Sequence, residues 1–218
     1  MRVTWYFDFL SPFAYLQFHE LRALSMAQFD LQPVVLARLL DAHGHLGPAE
    51  IPAKRDFTYR HVVWLAEQAG VPLRFPGAGH PFNSLPLLRL ATAHHGDPAV
   101  IERLFRYVWV DGWLPQQAGP WRALLDELNL ASDEVPEQVN LQLRATTELA
   151  IAAGVFGVPT ACVDGRVFWG LDSTGMLAEY LRDPVAFAAR PYGASPTVPV
   201  AARRARAAEG SRKGEHDR

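Results

Sequence analysis

Ser11, Val158, Pro159 and Asp172 are the residues whose types and settings could do chemistry. Ser11 follows the apolar run Tyr6-Phe7-Asp8-Phe9-Leu10 and precedes Pro12, an arrangement that opens a helix with a serine cap and proline at its first position. Read structurally, Ser11 is only that cap. Read chemically, a helix start presents unpaired N–H groups and the positive end of the helix dipole, and a serine hydroxyl adds one more donor. A thiolate held there has its pKa drawn from about 8.5 toward neutrality, so a thiol borrowed from a ligand becomes a usable nucleophile.

The pair Val158-Pro159 carries a second alternative. A trans bond makes Pro159 an ordinary strand start, whereas a cis bond turns the Val158 N–H and C=O outward, where a cysteinyl peptide could pair with them like an added strand. In Phe168-Trp169-Gly170-Leu171-Asp172-Ser173 the glycine lets the backbone approach a ligand. Asp172 either caps the last helix or holds an ammonium group, while the helix start accepts a carboxylate beside it.

Other chemistries find less support. The one cysteine, Cys162, forms no intramolecular disulfide and reads as a buried core residue. Ser11 and Ala14 stand where a Cys-x-x-Cys pair would be needed, so disulfide exchange lacks its nucleophile. Asp41, His43 and His45 lack further ligands, so no metal is expected. His45 reads either as pocket lining or as a solvent-exposed loop residue. His94-His95 before Gly96 suits a helix C-terminus. Trp64, Phe75, Phe82, Trp109 and Trp113 are expected mainly in the core, with one or two capping an apolar slot for an aromatic substrate.

The elements that must position these residues follow from periodicity. Residues 3–9 and 31–36 read as strands, and residues 12–26 as the helix between them. Helices follow near 53–69, 84–95, 98–111, 117–128 and 134–153, with no convincing strand among them. Strands return at 160–163 and 167–168 around the turn Asp164-Gly165, and a last helix runs from 173 to 181. The expected fold is α/β, a thioredoxin-like fold interrupted by a large all-helical insertion. Residues 1–40 and 154–190 would form the α/β domain, 41–153 the insertion, and 191–218 a disordered tail.

Composition narrows the function classes. A formal net charge of −2 over 218 residues gives no reason to expect nucleic acid as a partner. No stretch approaches the roughly 18–20 apolar residues of a membrane span, and Asp8 interrupts any secretory leader, so no membrane association and a cytoplasmic location are expected.

With these residues in view, the chain resembles the 2-hydroxychromene-2-carboxylate isomerases, relatives of the kappa-class glutathione transferases with a DsbA-like thioredoxin fold. The resemblance rests on Phe7-Asp8-Phe9-Leu10-Ser11-Pro12-Phe13-Ala14-Tyr15-Leu16, on Gly157-Val158-Pro159-Thr160, and on Val163-Asp164-Gly165-Arg166-Val167-Phe168-Trp169-Gly170-Leu171-Asp172. Weaker agreement runs through Gly70-Val71-Pro72, Pro81-Phe82-Asn83-Ser84 and Trp109-Val110-Asp111-Gly112, and the whole spans about residues 1–183.

The resemblance implies glutathione as cofactor, with its sulfur at catalytic Ser11, its cysteinyl backbone on Val158 and Pro159, and its γ-glutamyl end by Trp169, Leu171 and Asp172. It further implies reversible addition of the thiolate to an electrophilic aromatic or enone carboxylate, bond rotation, and elimination that regenerates the thiol. Phe13, His45, Phe82 and Asn83 would line the substrate pocket of a homodimer. Asp41 and His45 stand where the family tends to carry lysine and asparagine, Ser173 where it often has arginine, and His61 and Trp64 where aspartate and arginine are usual. A transferase that releases its conjugate and a non-catalytic thiol or peptide binder are the alternatives.

Overall fold

Val3, Trp5 and Phe7 alternate along β1 (Arg2–Phe7) and are all fully buried, which is why this strand is so rich in aromatic residues. The computed structural model describes residues 1–24, 28–195, 197–199 and 201. β1 is central in a four-stranded sheet of order β2-β1-β3-β4. It runs parallel to β2 (Gln28–Pro33) and antiparallel to β3 (Thr160–Val163), which pairs antiparallel with β4 (Arg166–Trp169). Asp164 and Gly165 turn that hairpin with φ of 50° and 73°, as the Asp-Gly pair predicts.

α1 (Pro12–Leu21) joins β1 to its parallel neighbour. Between β2 and β3 the described chain contains only helices: α2 (Leu36–His43), a 3-10 turn at Pro48–Glu50, α3 (Pro52–Ala69), α4 (Leu85–Ala93), α5 (Pro98–Trp109), α6 (Ala118–Glu127) and α7 (Glu137–Ala152). After β4, a 3-10 turn at Leu171–Ser173 leads into α8 (Thr174–Arg182). The thioredoxin-like α/β arrangement interrupted by helices is therefore the one expected from the order of elements.

Several boundaries differ. β1 stops at Phe7, so Phe9 is buried outside the strand, and α1 ends at Leu21 instead of reaching 26; residues 25–27 lie outside the described set. β2 covers 28–33 rather than 31–36, because Leu36 already belongs to α2, a helix absent from the expected elements. Asp41 consequently sits on α2, and only His45 lies in the loop beyond it.

One sheet face packs an aromatic core onto α1 and α5. Trp5 and Phe7 stack with centroids 4.8 Å apart, and Phe105 of α5 lies 4.7 Å from Phe9. Burying each such ring contributes about 1.5–3 kcal/mol. On Tyr6 a smaller cluster gathers Val34, Leu39, Ala150 and Val155, with Ile151, Val158 and Cys162 against it. Of the aromatic residues expected in the core, Trp109 is fully buried and Phe75 and Phe82 are half-buried. Trp64 and Trp113 are exposed, because α3 turns Trp64 away from Val62 and Ala66, the buried residues of that helix.

Residues Met1–Asp183 form one compact unit, and the chain from Pro184 onward a second. The latter begins with α9 (Pro184–Ala188), where Phe187 meets Tyr192 edge-on at 5.3 Å. The tail expected over 191–218 falls mostly on residues outside the described set.

Candidate active site

The Ser11 backbone N–H donates to Asp8 O at 3.0 Å, closing a tight turn between β1 and α1. Ser11 is almost buried, and its Oγ accepts from Ala14 N at 3.2 Å as the cap of α1. The cap uses the oxygen and leaves the hydroxyl proton free to donate elsewhere. Pro12 has no N–H, and the Phe13 N–H has no partner among the described residues. Two donors therefore meet at the positive end of α1. The Phe13 amide is one that residue typing alone overlooks.

Side chains far away in sequence hold this turn. The Asp8 carboxylate accepts from Leu10 N at 2.9 Å, from Leu36 N at 3.0 Å and from the Ser84 hydroxyl. It is buried, which pushes its pKa up, while these hydrogen bonds oppose the rise. The Trp109 indole N–H donates to Phe9 O at 2.9 Å, and His80 Nε2 to Leu10 O at 2.8 Å. A carbonyl only accepts, so the His80 proton is on Nε2, and Nδ1 faces the Tyr59 hydroxyl at 2.8 Å. Tyr15, whose hydroxyl donates to Pro72 O, is pushed up to about 12 by burial and so stays protonated at neutral pH.

Burial holds the His80 pKa below its ordinary 6.5, so at acid pH the folded chain binds fewer protons than the unfolded one. His80 therefore contributes stability above its unfolded pKa that is lost as pH falls through the folded value. Replacing His80 with Gln, which retains a donor for Leu10 O but does not titrate, is expected to flatten the decline. Urea unfolding between about pH 7 and 5 measures it; equal slopes in both proteins would exclude His80 as the source.

Opposite the turn, β3 begins just after Val158-Pro159, and that bond is cis. Tyr6 pairs with Thr160 across the antiparallel strands, so Val158 lies at the same end of the sheet as the Ser11 turn. Its side chain packs on the Tyr6 cluster, whereas its backbone N–H and C=O have no partner among the described residues. Thr160 Oγ1 donates to Gly157 O at 2.7 Å and pins the bend.

A third segment joins these two. Gly170 N donates to Pro159 O at 2.8 Å, and Gly170 adopts φ 89°, a conformation that side chains rarely take. A Cβ there would lie 2.5 Å from Asp172 Oδ1. Asp172 is exposed and does not cap α8; Ser173 is the capping residue, its side chain making no bond to the helix start, so the capping alternative for Asp172 fails. Leu171 is half-buried, and Trp169, about half exposed, stands 5.0 Å from Phe156 and against Gly157. Gln17 of α1, fully buried and unmarked by any sequence pattern, donates to Gly170 O at 2.8 Å.

The four pocket residues chosen from sequence come from three segments: α1, the loop after α2, and the turn before α4. Half-buried Phe13 meets His61 edge-on at 6.2 Å, and Trp64 stacks with the same imidazole. Phe82 packs on His80 and Trp109, and Asn83 uses its Oδ1 to accept from Leu85 N. His45 is exposed, and rings lead from it through His43 and Phe156 to Trp169. Cys162 is half-buried, and burial pushes its thiol pKa up. A cleft of about 590 Å³ between α2, α4 and α7, lined by Val35, Arg38, Arg89 and Arg144 among others, includes none of these residues.

No helix among the described residues is long and apolar enough to cross a membrane. The DSBA-like thioredoxin domain family matches residues 2–182. A 2-hydroxychromene-2-carboxylate isomerase of Pseudomonas sp. (strain C18) is 31% identical over 190 residues, covering 80% of this chain and 87% of the relative. Glutathione S-transferase kappa 1 of Rattus norvegicus is 27% identical over 202 residues, covering 81% and 88%. A solved structure of 2-hydroxychromene-2-carboxylate isomerase superposes with a TM-score of 0.73 at 26% identity, covering 86% of this chain and 97% of that one. The chain belongs to the DsbA-like thioredoxin family, in the branch of the 2-hydroxychromene-2-carboxylate isomerases and their kappa-class glutathione transferase relatives.

Proposed function

We propose that this chain is a glutathione-dependent isomerase acting on an electrophilic aromatic or enone carboxylate, of which 2-hydroxychromene-2-carboxylate is the first candidate. The observation that carries the reading is the Ser11 hydroxyl, which accepts from Ala14 N and keeps its proton to donate, at the end of the sheet where the Val158 backbone has no partner among the described residues. The donor set fits glutathione: an alcohol and an amide for a thiolate, a free peptide edge for a cysteinyl group, and an exposed carboxylate for an ammonium.

When bound, glutathione supplies the thiolate that adds to the electrophile and later leaves it. Ser11 O–H and Phe13 N–H stabilise negative charge at that sulfur. Val158 N–H and C=O align the cysteinyl backbone beside Pro159. Asp172 holds the α-ammonium of the γ-glutamyl group, with Trp169 and Leu171 as its apolar walls. Phe13, His45, Phe82 and Asn83 are the residues offered to the electrophile. A homodimer in the cytoplasm, where reduced glutathione is abundant, belongs to the same proposal.

Turnover of 2-hydroxychromene-2-carboxylate to its trans-benzylidenepyruvate isomer with substoichiometric glutathione tests the reading. A requirement for stoichiometric glutathione, consumed in a conjugate, would move the assignment to a transferase, which the kappa-class relative supports. Glutathione binding without turnover of any electrophile would leave a thiol binder. Replacing Asp172 with Ala is expected to weaken glutathione binding about fivefold to tenfold, by loss of a charge-assisted contact, with the melting temperature unchanged. Calorimetric titration measures it, and unaltered affinity would remove Asp172 from the site.

A further inference from the structure

Gln17 is fully buried in α1 and every polar atom of its side chain is engaged. Its Oε1 accepts from Trp5 Nε1 at 2.7 Å, which fixes the amide orientation. Its Nε2 then donates to Gly170 O at 2.8 Å and to Thr174 Oγ1 at 3.1 Å. One side chain thus ties β1, the helix begun by Ser11, and the glycine two residues before Asp172. Gly170 is itself tied to Pro159 through its N–H, and its carbonyl also accepts from Ser173 Oγ at 2.8 Å. Leu171 O takes the Thr174 hydroxyl at 2.6 Å, so the donor that Gln17 meets at Thr174 is already committed and Thr174 Oγ1 acts toward Gln17 as acceptor.

We propose that Gln17 is the positioning residue that sets the distance between the thiol-activating hydroxyl of Ser11 and the carboxylate of Asp172, and so makes the site selective for a thiol bearing a γ-glutamyl extension. The inference rests on the glutathione reading above. Gln17 acts through Gly170, whose N–H is held by Pro159 O and whose carbonyl takes both Gln17 Nε2 and the Ser173 hydroxyl, bonds that leave the loop little freedom to adjust. A buried amide with two acceptors and one donor matched is also costly to misplace, so the loop cannot slide along α1 without leaving Gly170 O or the amide unpaired.

The test compares glutathione with the dipeptide Cys-Gly, which keeps the thiol and the cysteinyl backbone but lacks the γ-glutamyl group. In Gln17→Leu, glutathione should bind about tenfold more weakly, while Cys-Gly affinity and the pKa of its bound thiol stay as in the wild type. Gln17→Leu and Asp172→Ala should be non-additive on glutathione, since one acts through the other. Should Gln17→Leu not fold, Gln17→Met, of equal length, and Thr174→Val, which removes one acceptor, carry the same comparison. Unchanged glutathione affinity, or an equal loss for both thiols, overturns the proposal. Wild-type protein that binds neither thiol would instead overturn the glutathione reading on which it stands.

Discussion

Replacing Ser11 with Ala is expected to raise the pKa of a bound glutathione thiol by about one to two pH units, because a hydrogen bond to a charged acceptor is worth about 1.5–3 kcal/mol. Ser11 is almost buried, so water cannot readily take the place of its hydroxyl. The Phe13 N–H and the dipole of α1 remain, which is why the pKa rises without returning to that of free thiol. Turnover at neutral pH should fall about tenfold to a hundredfold and recover as pH is raised past the new pKa. The same substitution removes the cap on Ala14 N, costing about 1 kcal/mol of stability. The two effects separate cleanly, since raising the pH restores a thiolate but not a helix cap. Ultraviolet thiolate absorbance, titrated on the bound complex, gives the answer. An unchanged thiol pKa in this variant removes Ser11 from the chemistry and leaves it a cap.

Asp8 carries the larger consequence for stability. Replacing it with Ala strips Leu10 N–H, Leu36 N–H and the Ser84 hydroxyl of their acceptor at once. Each buried donor left unpaired costs about 1–3 kcal/mol, and water entering the space recovers part of that, so a loss of about 3–5 kcal/mol is expected in urea unfolding. Asp8→Asn should be milder, because it retains one carbonyl acceptor. Its pH dependence is diagnostic. Burial raises the Asp8 pKa above its ordinary 3.8, so the folded chain holds a proton that the unfolded chain has released. The stability this provides is present below that ordinary value and is lost as pH rises through the folded pKa. Wild-type stability relative to Asp8→Asn should therefore decline across that window. An Asp8→Ala variant within about 1 kcal/mol of wild type, or a constant difference from Asp8→Asn, would show that the carboxylate does not organise the turn.

These two residues also mark where the sequence is and is not legible. Ser11-Pro12 announces α1, and Asp164-Gly165 announces the β3–β4 turn, because in both cases the chemistry that fixes the backbone is local. The same locality lets Ser11, Val158 and Asp172 be selected before any fold is known. α2 is missed for the opposite reason. Its capping residue Val35 has no capping side chain, and Leu36 N is satisfied by Asp8, 28 residues earlier. Leu36, Leu39 and Leu40 recur at helical spacing, but the helix is only eight residues long and follows directly on an apolar strand, so the run reads as part of that strand. Gln17 and His80 are invisible in the same way, since their partners at Gly170 and Leu10 are 153 and 70 residues distant. Trp64 misleads because a tryptophan is assumed to be buried, and nothing nearby in sequence states which way α3 faces.

An alcohol at the head of α1 leaves the fold with no electrons of its own to trade there. Peroxide that would carry a thiol at this place to sulfenic acid and beyond finds only Ser11. Cys162, half-buried with its pKa pushed up, remains protonated and slow to react. Under the glutathione reading, damage by an oxidant is thereby displaced from the protein to its replaceable ligand. On that reading, catalysis rises and falls with the cell's reserve of reduced tripeptide and resumes when that reserve is restored, with no repair of the polypeptide.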